Sequence, residues 1–357
     1  MIVDVKLQPI QADYQTLQHA TSDIREPLST IYIMEVMLYH KTMLHTTPVL
    51  STPFTHMYTL EEFSTGKAWS PVKRENPCYF ITTGTTKRAS EGGAVKTVKI
   101  SRPVRPFIAK EYPIGDPDDP FDITKINTQI NSRFNQLSLP SQGRASACGP
   151  AVLFYCLQKD RPDVYKQAAR ELWRHGKTKI GQLEIAPGEG CRHPSGLFYD
   201  ENGSPLISGL DWMTLVSLRD SENAVLSFDM LDSPVAGVTL WTTLNEWFEK
   251  VGYELVFSNV GITQAGIEGM NELNEYVRKG CKVVTLINDG LLDGSDSTLT
   301  VPTHWIVWEG PVTEDSLGHV HLELFSWGSV KDRIKSGKKI PYFISRFFGG
   351  MVFKPLS

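Results

Sequence analysis

Apolar residues recur at helical spacing in the second part of the chain, starting near residue 123. They lie three or four positions apart, which places them on one face of a helix. The residues that share this spacing are Ile123, Ile126, Ile130, Phe134 and Leu137. Asp122 precedes them and is the expected N-cap. A second helix is predicted from Pro162, and Gly176 is expected to end it.

Strand patterns replace helical ones toward the C-terminus. The segments 282–287, 304–308 and 320–325 are short, apolar and rich in β-branched or aromatic residues. Helices that come first and strands that come later predict a segregated α+β domain. We place this domain at residues 121–357.

The first 120 residues show strand patterns of their own. Residues 31–38 form an apolar run, and residues 78–83 and 94–100 flank a Gly92-Gly93 turn, which predicts a β-hairpin. We therefore expect a β-rich N-terminal region at residues 1–120. The stretch from Pro103 to Asp122 is rich in proline and aspartate and is predicted to be a linker without core residues.

Composition narrows the class of protein. The hydrophobic fraction is 41%, the charged fraction is 21% and the formal net charge is -4, which fits a soluble protein with a full core. This balance gives no reason to expect nucleic acid or an anionic membrane as partner. No apolar segment is long enough to suggest a membrane span, and the N-terminus does not resemble a signal peptide. Five cysteines in a chain of 357 residues argue against a disulfide framework.

Cys148 lies at the predicted start of an apolar helix. Ser146 is the expected N-cap, and Pro150 fits the first turn. Unpaired backbone N–H groups at a helix start favour negative charge, so this position predicts a thiolate. The competing interpretation is a small buried core residue, which is the usual role of a free cysteine. Cys156, well inside the same helix, is expected to be core.

A glutamine precedes this cysteine by six positions. Gln142-Gly143 followed by Cys148-Gly149-Pro150-Ala151 resembles the papain-like superfamily of cysteine peptidases, including bacterial leader peptidases that mature bacteriocins. The resemblance covers about residues 135–157 and 280–330. It implies a papain-like domain, with a helical part followed by an antiparallel sheet. It also implies that Gln142 and the backbone N–H of Cys148 hold the oxyanion. Gln136 is the competing glutamine.

His304 opens a predicted strand. The sequence His-Trp-Ile-Val-Trp-Glu-Gly from this position resembles the histidine strand of the same superfamily. Its separation from Cys148 is close to the ~130–150 residues of papain-type enzymes. The resemblance implies that His304 is the general base. The competing histidines are His175, His193, His319 and His321.

The third site residue departs from the pattern of the superfamily, which places an asparagine or aspartate beside a Ser-Trp-Gly sequence. Here Phe325 precedes Ser326, and a phenyl ring does not accept a hydrogen bond from an imidazole N–H. Ser326, Ser329 or a backbone carbonyl is then expected to orient the histidine, and a dyad is the alternative. We take Ser326 as the third site residue. Trp327 is expected to shield the histidine from water.

No cofactor or metal is expected. Cys191 and His193 are too few ligands for zinc. Asp289, Asp293 and Asp296 do not fit the calcium-loop pattern and predict a solvated turn.

The sequence therefore predicts a thiol protease that cleaves a protein or peptide substrate through an acyl-thioester. A peptidoglycan amidase or a glutamine deamidase would use the same site, and an inactive papain-like binding module is the non-enzymatic alternative. A β-rich leader joined to such a domain also resembles antibacterial effector toxins exported by type VI secretion, which require a cognate immunity protein. We expect synthesis in the cytoplasm without a signal peptide, followed by secretion or injection into target cells.

Overall fold

The computed structural model describes two kinds of segment. Among residues 1–104, the structure describes only the backbone of the strands. After residue 104, it describes residues 105–143, 145–195, 198–222, 240–295, 297 and 301–356. Cys78, the Gly92-Gly93 turn and Asp296 lie outside the described residues. The chain forms two units, residues 1–104 with 110–119, and residues 105–109 with 120–357.

The strands of the first unit form two sheets. The described strands are β1 (Val3–Leu7), β2 (Ile31–Lys41), β3 (Thr46–Pro48), β4 (Phe54–Thr59), β5 (Pro71–Val72), β6 (Tyr79–Thr83) and β7 (Ala94–Ser101). One sheet has the order β1-β6-β5, and in the other β2 pairs with β3, β4 and β7. The predicted hairpin is therefore wrong. Both of its strands form, but β6 pairs in parallel with β1, and β7 pairs antiparallel with β2.

The predicted linker contributes core residues, contrary to expectation. Phe107, Ile108 and Ala109 are fully buried in the second unit. The backbone N–H of Ile108 donates to the Arg192 carbonyl at 2.9 Å, and the Arg105 guanidinium donates to the carbonyl of Phe121 at 2.8 Å. These contacts anchor the entry of the chain into the second unit.

Most helices of the second unit lie in its first part, and the last two lie between strands of the later part. The helices are α1 (Ile123–Phe134), α2 (Cys148–Asp160), α3 (Pro162–His175), α4 (Glu189–Arg192), α5 (Gly209–Asp211), a π-helical segment (Trp212–Val216), α6 (Ser217–Glu222), α7 (Trp241–Val251), α8 (Gly266–Arg278) and α9 (Ile340–Ile344). Between α3 and α4 lies the hairpin β8 (Thr178–Ile180) and β9 (Leu183–Ile185).

Local chemistry explains where several helices begin and end. The Asp122 carboxylate accepts hydrogen bonds from the backbone N–H groups of Thr124 and Lys125, so the predicted N-cap is confirmed. Gly176 ends α3 with φ +69°, a left-handed conformation that favours glycine, also as predicted. The N-cap predicted for α2 is wrong, because the cap position is Ala147, which offers no side-chain acceptor.

An antiparallel sheet of six strands follows, which establishes the mixed α+β class. Its strands are β10 (Glu254–Ser258), β11 (Lys282–Ile287), β12 (His304–Trp308), β15 (Glu323–Ser326), β16 (Ser329–Asp332) and β17 (Phe347–Lys354), in the order β10-β17-β11-β12-β15-β16. A small hairpin, β13 (Thr313–Glu314) and β14 (Val320–His321), precedes β15. The strand predicted at 320–325 is thus divided between β14 and β15.

Both faces of this sheet are covered. On one face Phe325 stacks on Tyr155 of α2, and Phe353 stacks on Phe248 of α7. On the other face the apolar side chains of β11, β12 and β15 pack with those of α8 and α9 in one buried cluster. Helix α2 therefore lies between the other helices and the sheet, and eleven of its residues are buried.

Within the part of the chain that the structure describes, no helix has the length and apolar character needed to cross a bilayer. The described cysteines, Cys148, Cys156, Cys191 and Cys281, are free thiols.

Candidate active site

Cys148 is the first residue of α2, and its side chain is only 4% exposed. No side chain caps this helix, so the N–H groups of its first turn are free to act on a nearby anion. The backbone N–H groups of Cys148, Gly149 and Trp305 all act on the sulfur and lower its pKa. Trp305 directly follows His304, so the start of α2 meets the start of strand β12.

Burial nevertheless controls the charge of this thiol. It raises the pKa of Cys148 above the ordinary value and outweighs the three N–H groups and the positive charge of Arg219. The sequence had suggested a thiolate, but the geometry favours a neutral thiol in the resting site. Cys156, which is fully buried two turns further along α2, also has a raised pKa and belongs to the core, as expected.

His304 is held by Ser326. The two side chains are buried, and the His304 Nε2 lies 2.8 Å from the Ser326 Oγ. When Nε2–H donates to the hydroxyl, the ring is fixed in the tautomer that leaves Nδ1 free to take a proton. Trp327 covers the imidazole, with ring centroids 5.2 Å apart and planes inclined by 29°. The shielding expected of Trp327 is thus present in the structure.

Strand register explains why Ser326 contacts the histidine and Phe325 does not. Phe325 pairs with Val307, and Trp308 pairs with Leu324. Successive side chains of a strand alternate between faces, so Phe325 points to α2 and Ser326 points to the opposite face. Ser329, the alternative serine, accepts a hydrogen bond from the Arg333 guanidinium at 2.6 Å.

Burial also favours the neutral form of His304 and lowers its pKa to about 4. Two charges modulate this effect in opposite directions. Asp289 raises the pKa of His304, and Arg333 lowers it. At rest, burial therefore favours a neutral thiol at Cys148 and a neutral imidazole at His304.

The loop that carries Gln142 is held between two neighbours. Gly143 has φ +56°, and a Cβ there would collide with the Leu206 carbonyl oxygen, so this position requires glycine. Ser141 packs against Gly328, immediately after the tryptophan that covers His304, and its backbone N–H donates to the Asp211 carboxylate. Gln142 is half-buried, and its carbonyl accepts a hydrogen bond from the N–H of Ala145 at 2.9 Å. The Gln142 loop therefore adjoins the segment that holds His304.

The competing residues have structural partners elsewhere. The Gln136 amide donates to the Gln158 carbonyl at 2.9 Å. The half-buried His319 bonds to Asp315, and the exposed His321 bonds to Asp332. His175 ends α3, and His193 follows α4.

Two charged residues near the site were not predicted as members of it. The guanidinium of Arg219, on the short helix α6, is half-buried, and its charge favours the Cys148 thiolate. Asp289 follows strand β11 and is half-buried, so the expectation of a solvated turn is wrong for this residue. Its carboxylate accepts hydrogen bonds from Thr303 and Ser295. No periodic pattern marks Arg219, but Asp289 lies beside Thr303-His304 once strands β11 and β12 are paired.

Among the described residues, no group of three or more histidine, cysteine, aspartate or glutamate side chains is arranged to hold a metal ion. The Cys191 sulfur lies instead 3.8 Å from the Ser217 hydroxyl. Comparisons of the chain with protein-family models, with curated proteins and with solved structures gave no match.

Proposed function

We propose that the chain is a papain-like cysteine hydrolase, most simply a thiol protease, with Cys148 as nucleophile and His304 as general base. One observation carries the proposal. The Cys148 sulfur, at an uncapped helix start, accepts a hydrogen bond from the residue after His304, and His304 is itself held by Ser326. A nucleophile, a base and a group that orients the base are the parts that such chemistry requires.

Acylation follows from the neutral resting pair. As the Cys148 sulfur attacks the substrate carbonyl carbon, its proton moves to Nδ1 of His304, and the carbonyl π electrons move to the oxygen. Gln142 and the Cys148 backbone N–H stabilise this oxyanion. When the tetrahedral intermediate collapses, the C–N bond breaks and the imidazolium gives its proton to the departing amine. The product is a thioester on Cys148.

Deacylation reverses the proton path. Water attacks the thioester carbonyl while Nδ1 of His304 takes one of its protons. The C–S bond then breaks, the carboxylic acid leaves, and the sulfur recovers its proton from the imidazolium. Ser326 keeps Nε2 hydrogen-bonded throughout, so the same ring nitrogen acts in both halves of the reaction.

Alkylation of the thiols tests the pair before any substrate is known. The chain is treated with iodoacetamide between pH 5 and 8, and each cysteine is followed by mass spectrometry of its peptide. Cys148 is expected to react faster than Cys156, although both are buried. His304→Ala should slow the reaction of Cys148 alone. Equal rates for the two cysteines, or no effect of His304→Ala in a folded variant, would remove the proposal.

Substrate class is decided by comparing three mixtures. Protein lysate, muropeptides and a glutamine-containing protein are each incubated with wild type and with Cys148→Ala. New peptide ends in the lysate support a protease. Amide cleavage in muropeptides supports a peptidoglycan amidase, and conversion of glutamine to glutamate supports a deamidase. Wild type that matches Cys148→Ala in all three mixtures favours the inactive binding module.

We extend the proposal to an antibacterial effector on the resemblance alone, with residues 1–120 as a β-rich region that serves export or delivery. Wild type and Cys148→Ala are expressed in bacteria, in the cytoplasm and in the periplasm. Growth arrest by wild type in one compartment, absent with Cys148→Ala, is the expected result. Equal growth of both strains in both compartments contradicts the toxin role.

A further inference from the structure

We propose that Asp289 is the counter-charge of His304, a positioning residue that stabilises the imidazolium formed in each half of the reaction. This inference rests on the proposed function, because it assigns a role in that chemistry. Ser326 orients the ring, but a hydroxyl carries no net charge. A formal negative charge beside a buried imidazolium lowers the energy of that ion far more than a neutral dipole does.

Strand pairing places Asp289 at the histidine. Ile287 of β11 pairs with His304 of β12, and the N–H of Thr303 donates to the carbonyl of Ile287 at 2.9 Å. Asp289 therefore lies two residues after the end of β11, next to the position where β12 begins with His304.

A reciprocal pair of hydrogen bonds then fixes the carboxylate. The backbone N–H of Asp289 donates to the Thr303 Oγ1 at 2.8 Å, and that hydroxyl donates to the Asp289 Oδ1 at 2.6 Å. The second oxygen, Oδ2, accepts from the Ser295 hydroxyl at 2.7 Å. Thr303 is the residue directly before His304, so the carboxylate is tied to the backbone of the base itself.

These contacts favour an ionised aspartate. Burial acts to raise the pKa of Asp289, but the hydroxyls of Thr303 and Ser295 and the charge of His304 outweigh it and lower the pKa. A carboxylate that kept its proton would have no effect on an imidazolium. The arrangement therefore supplies a permanent charge rather than a second proton carrier.

Arg333 provides the opposing charge. Its guanidinium lies 5.4 Å from the centre of the Trp327 ring, on the tryptophan that covers His304, and its charge disfavours the imidazolium. Other ionisable groups near this network include Asp293, whose charge acts on Arg333, and Arg346 and Tyr342, which contact Gly290. Cys148, on which Arg219 and the Trp305 N–H act, lies near the residue after His304. Burial thus has the largest effect on the pKa of His304, and one anion and one cation adjust it in opposite directions.

A purely structural role for Asp289 is the competing explanation, since its bonds also close the turn at Asp289–Leu291. The two explanations differ in their effect on the His304 pKa. Loss of a turn contact lowers stability, but it has no reason to change that pKa in a set direction. Removal of opposite charges must move it in opposite directions.

The experiment compares Asp289→Asn, Arg333→Met and Asp293→Asn with wild type. Nuclear magnetic resonance of the imidazole nitrogens gives the His304 pKa, circular dichroism confirms folding, and kcat/KM is measured against pH. Asp289→Asn should lower the pKa of His304. It should also reduce the plateau of kcat/KM about tenfold, the factor that corresponds to a loss of one pKa unit in the stability of the imidazolium. Arg333→Met should raise the pKa and move the acid limb of activity upward. Asp293→Asn is the matched acidic control and should change both quantities least.

The outcomes separate the two proposals. Active wild type, with an Asp289→Asn variant that folds and keeps the wild-type His304 pKa, overturns the inference and leaves the hydrolase intact. Opposite pKa shifts in the Asp289 and Arg333 variants of a protein without hydrolase activity support the electrostatic network but reject the function on which it rests. If Asp289→Asn fails to fold, Arg333→Met decides, because an unchanged His304 pKa there contradicts the opposing pair.

Discussion

Phe325 and Tyr155 stack face to face, with ring centroids 3.9 Å apart and planes inclined by 5°. This contact joins strand β15 to helix α2, the helix that starts with Cys148. Tyr155 also donates to the Glu309 carboxylate at 2.6 Å, so both ends of its side chain are engaged. Phe325 therefore packs the sheet against the Cys148 helix, and the next residue, Ser326, hydrogen-bonds to His304.

Substitutions at these two neighbouring positions are expected to separate stability from activity. Phe325→Asn introduces the residue type that the papain-like superfamily has at this position, but its side chain would point at α2. We expect it to lower the free energy of unfolding by about 3–5 kcal/mol. We expect no increase in activity. Ser326→Ala should stay folded and lower kcat, because the imidazole loses its partner. Chemical denaturation and kcat measurements check both. Higher activity in Phe325→Asn would show that the register assignment is wrong.

Much of the helical and strand pattern could be predicted because it depends on neighbours in sequence. Asp122 and Gly176 mark helix ends through local hydrogen bonds and backbone conformation, and the strand that begins at His304 is marked by its apolar run. Strand partners could not be predicted in this way. Residues 79–83 and 94–101 have strand propensity, but nothing in that propensity states that each pairs with a different strand.

Some properties of the candidate site residues could be inferred from short motifs, and others could not. Cys148, Gln142, His304 and Ser326 lie in short motifs with characteristic spacing. The protonation state of Cys148 was not predictable, because burial depends on the whole fold and here opposes the helix start. Asp289 illustrates the same limit, since an aspartate in a polar loop looks solvated until strand pairing brings it beside the histidine.

His304 should make stability depend on pH. Its pKa in the native protein is about 4, below the value of 6.5 for an ordinary histidine, so protons bind the unfolded chain more tightly. The free energy of unfolding should therefore fall as the pH drops from 6.5 toward 4, by about 3 kcal/mol at ~1.4 kcal/mol per unit. Denaturant titrations of wild type and His304→Gln at several pH values isolate the contribution of His304 to the pH dependence of the free energy of unfolding. The two curves running parallel from pH 7 to pH 4 would contradict it.

Arg219 should contribute to the reactivity of Cys148. Its positive charge favours the thiolate, and it is the ionisable side chain whose charge lowers the pKa of this thiol. Arg219→Met is expected to slow alkylation of Cys148 at neutral pH, while Arg219→Lys retains most of the rate. The alkylation rate of Cys156 in the same samples is the internal control. A Cys148 rate that is unchanged in Arg219→Met and rises with salt in wild type would argue against this role.

The ion pair between Arg133 and Asp211 should be the most sensitive charged contact in the helical part. Both side chains are buried, and one guanidinium nitrogen lies 2.7 Å from each carboxylate oxygen. Asp211→Asn leaves the arginine buried without its counter-charge, which typically costs about 3–5 kcal/mol. The Asp211 carboxylate also accepts the Ser141 N–H, so the Gln142 loop should loosen and kcat should fall.

A matched control comes from the exposed pair of Arg161 and Asp163, whose nitrogen and oxygen are 2.9 Å apart. Asp163→Asn removes a contact of similar length, but water solvates both partners, so the midpoint of chemical denaturation should barely move. Comparing the two variants by denaturation, with kcat as the second readout, separates burial from charge. An Asp211→Asn protein as stable as Asp163→Asn would mean that water reaches Arg133, and the Gln142 loop would then need another anchor.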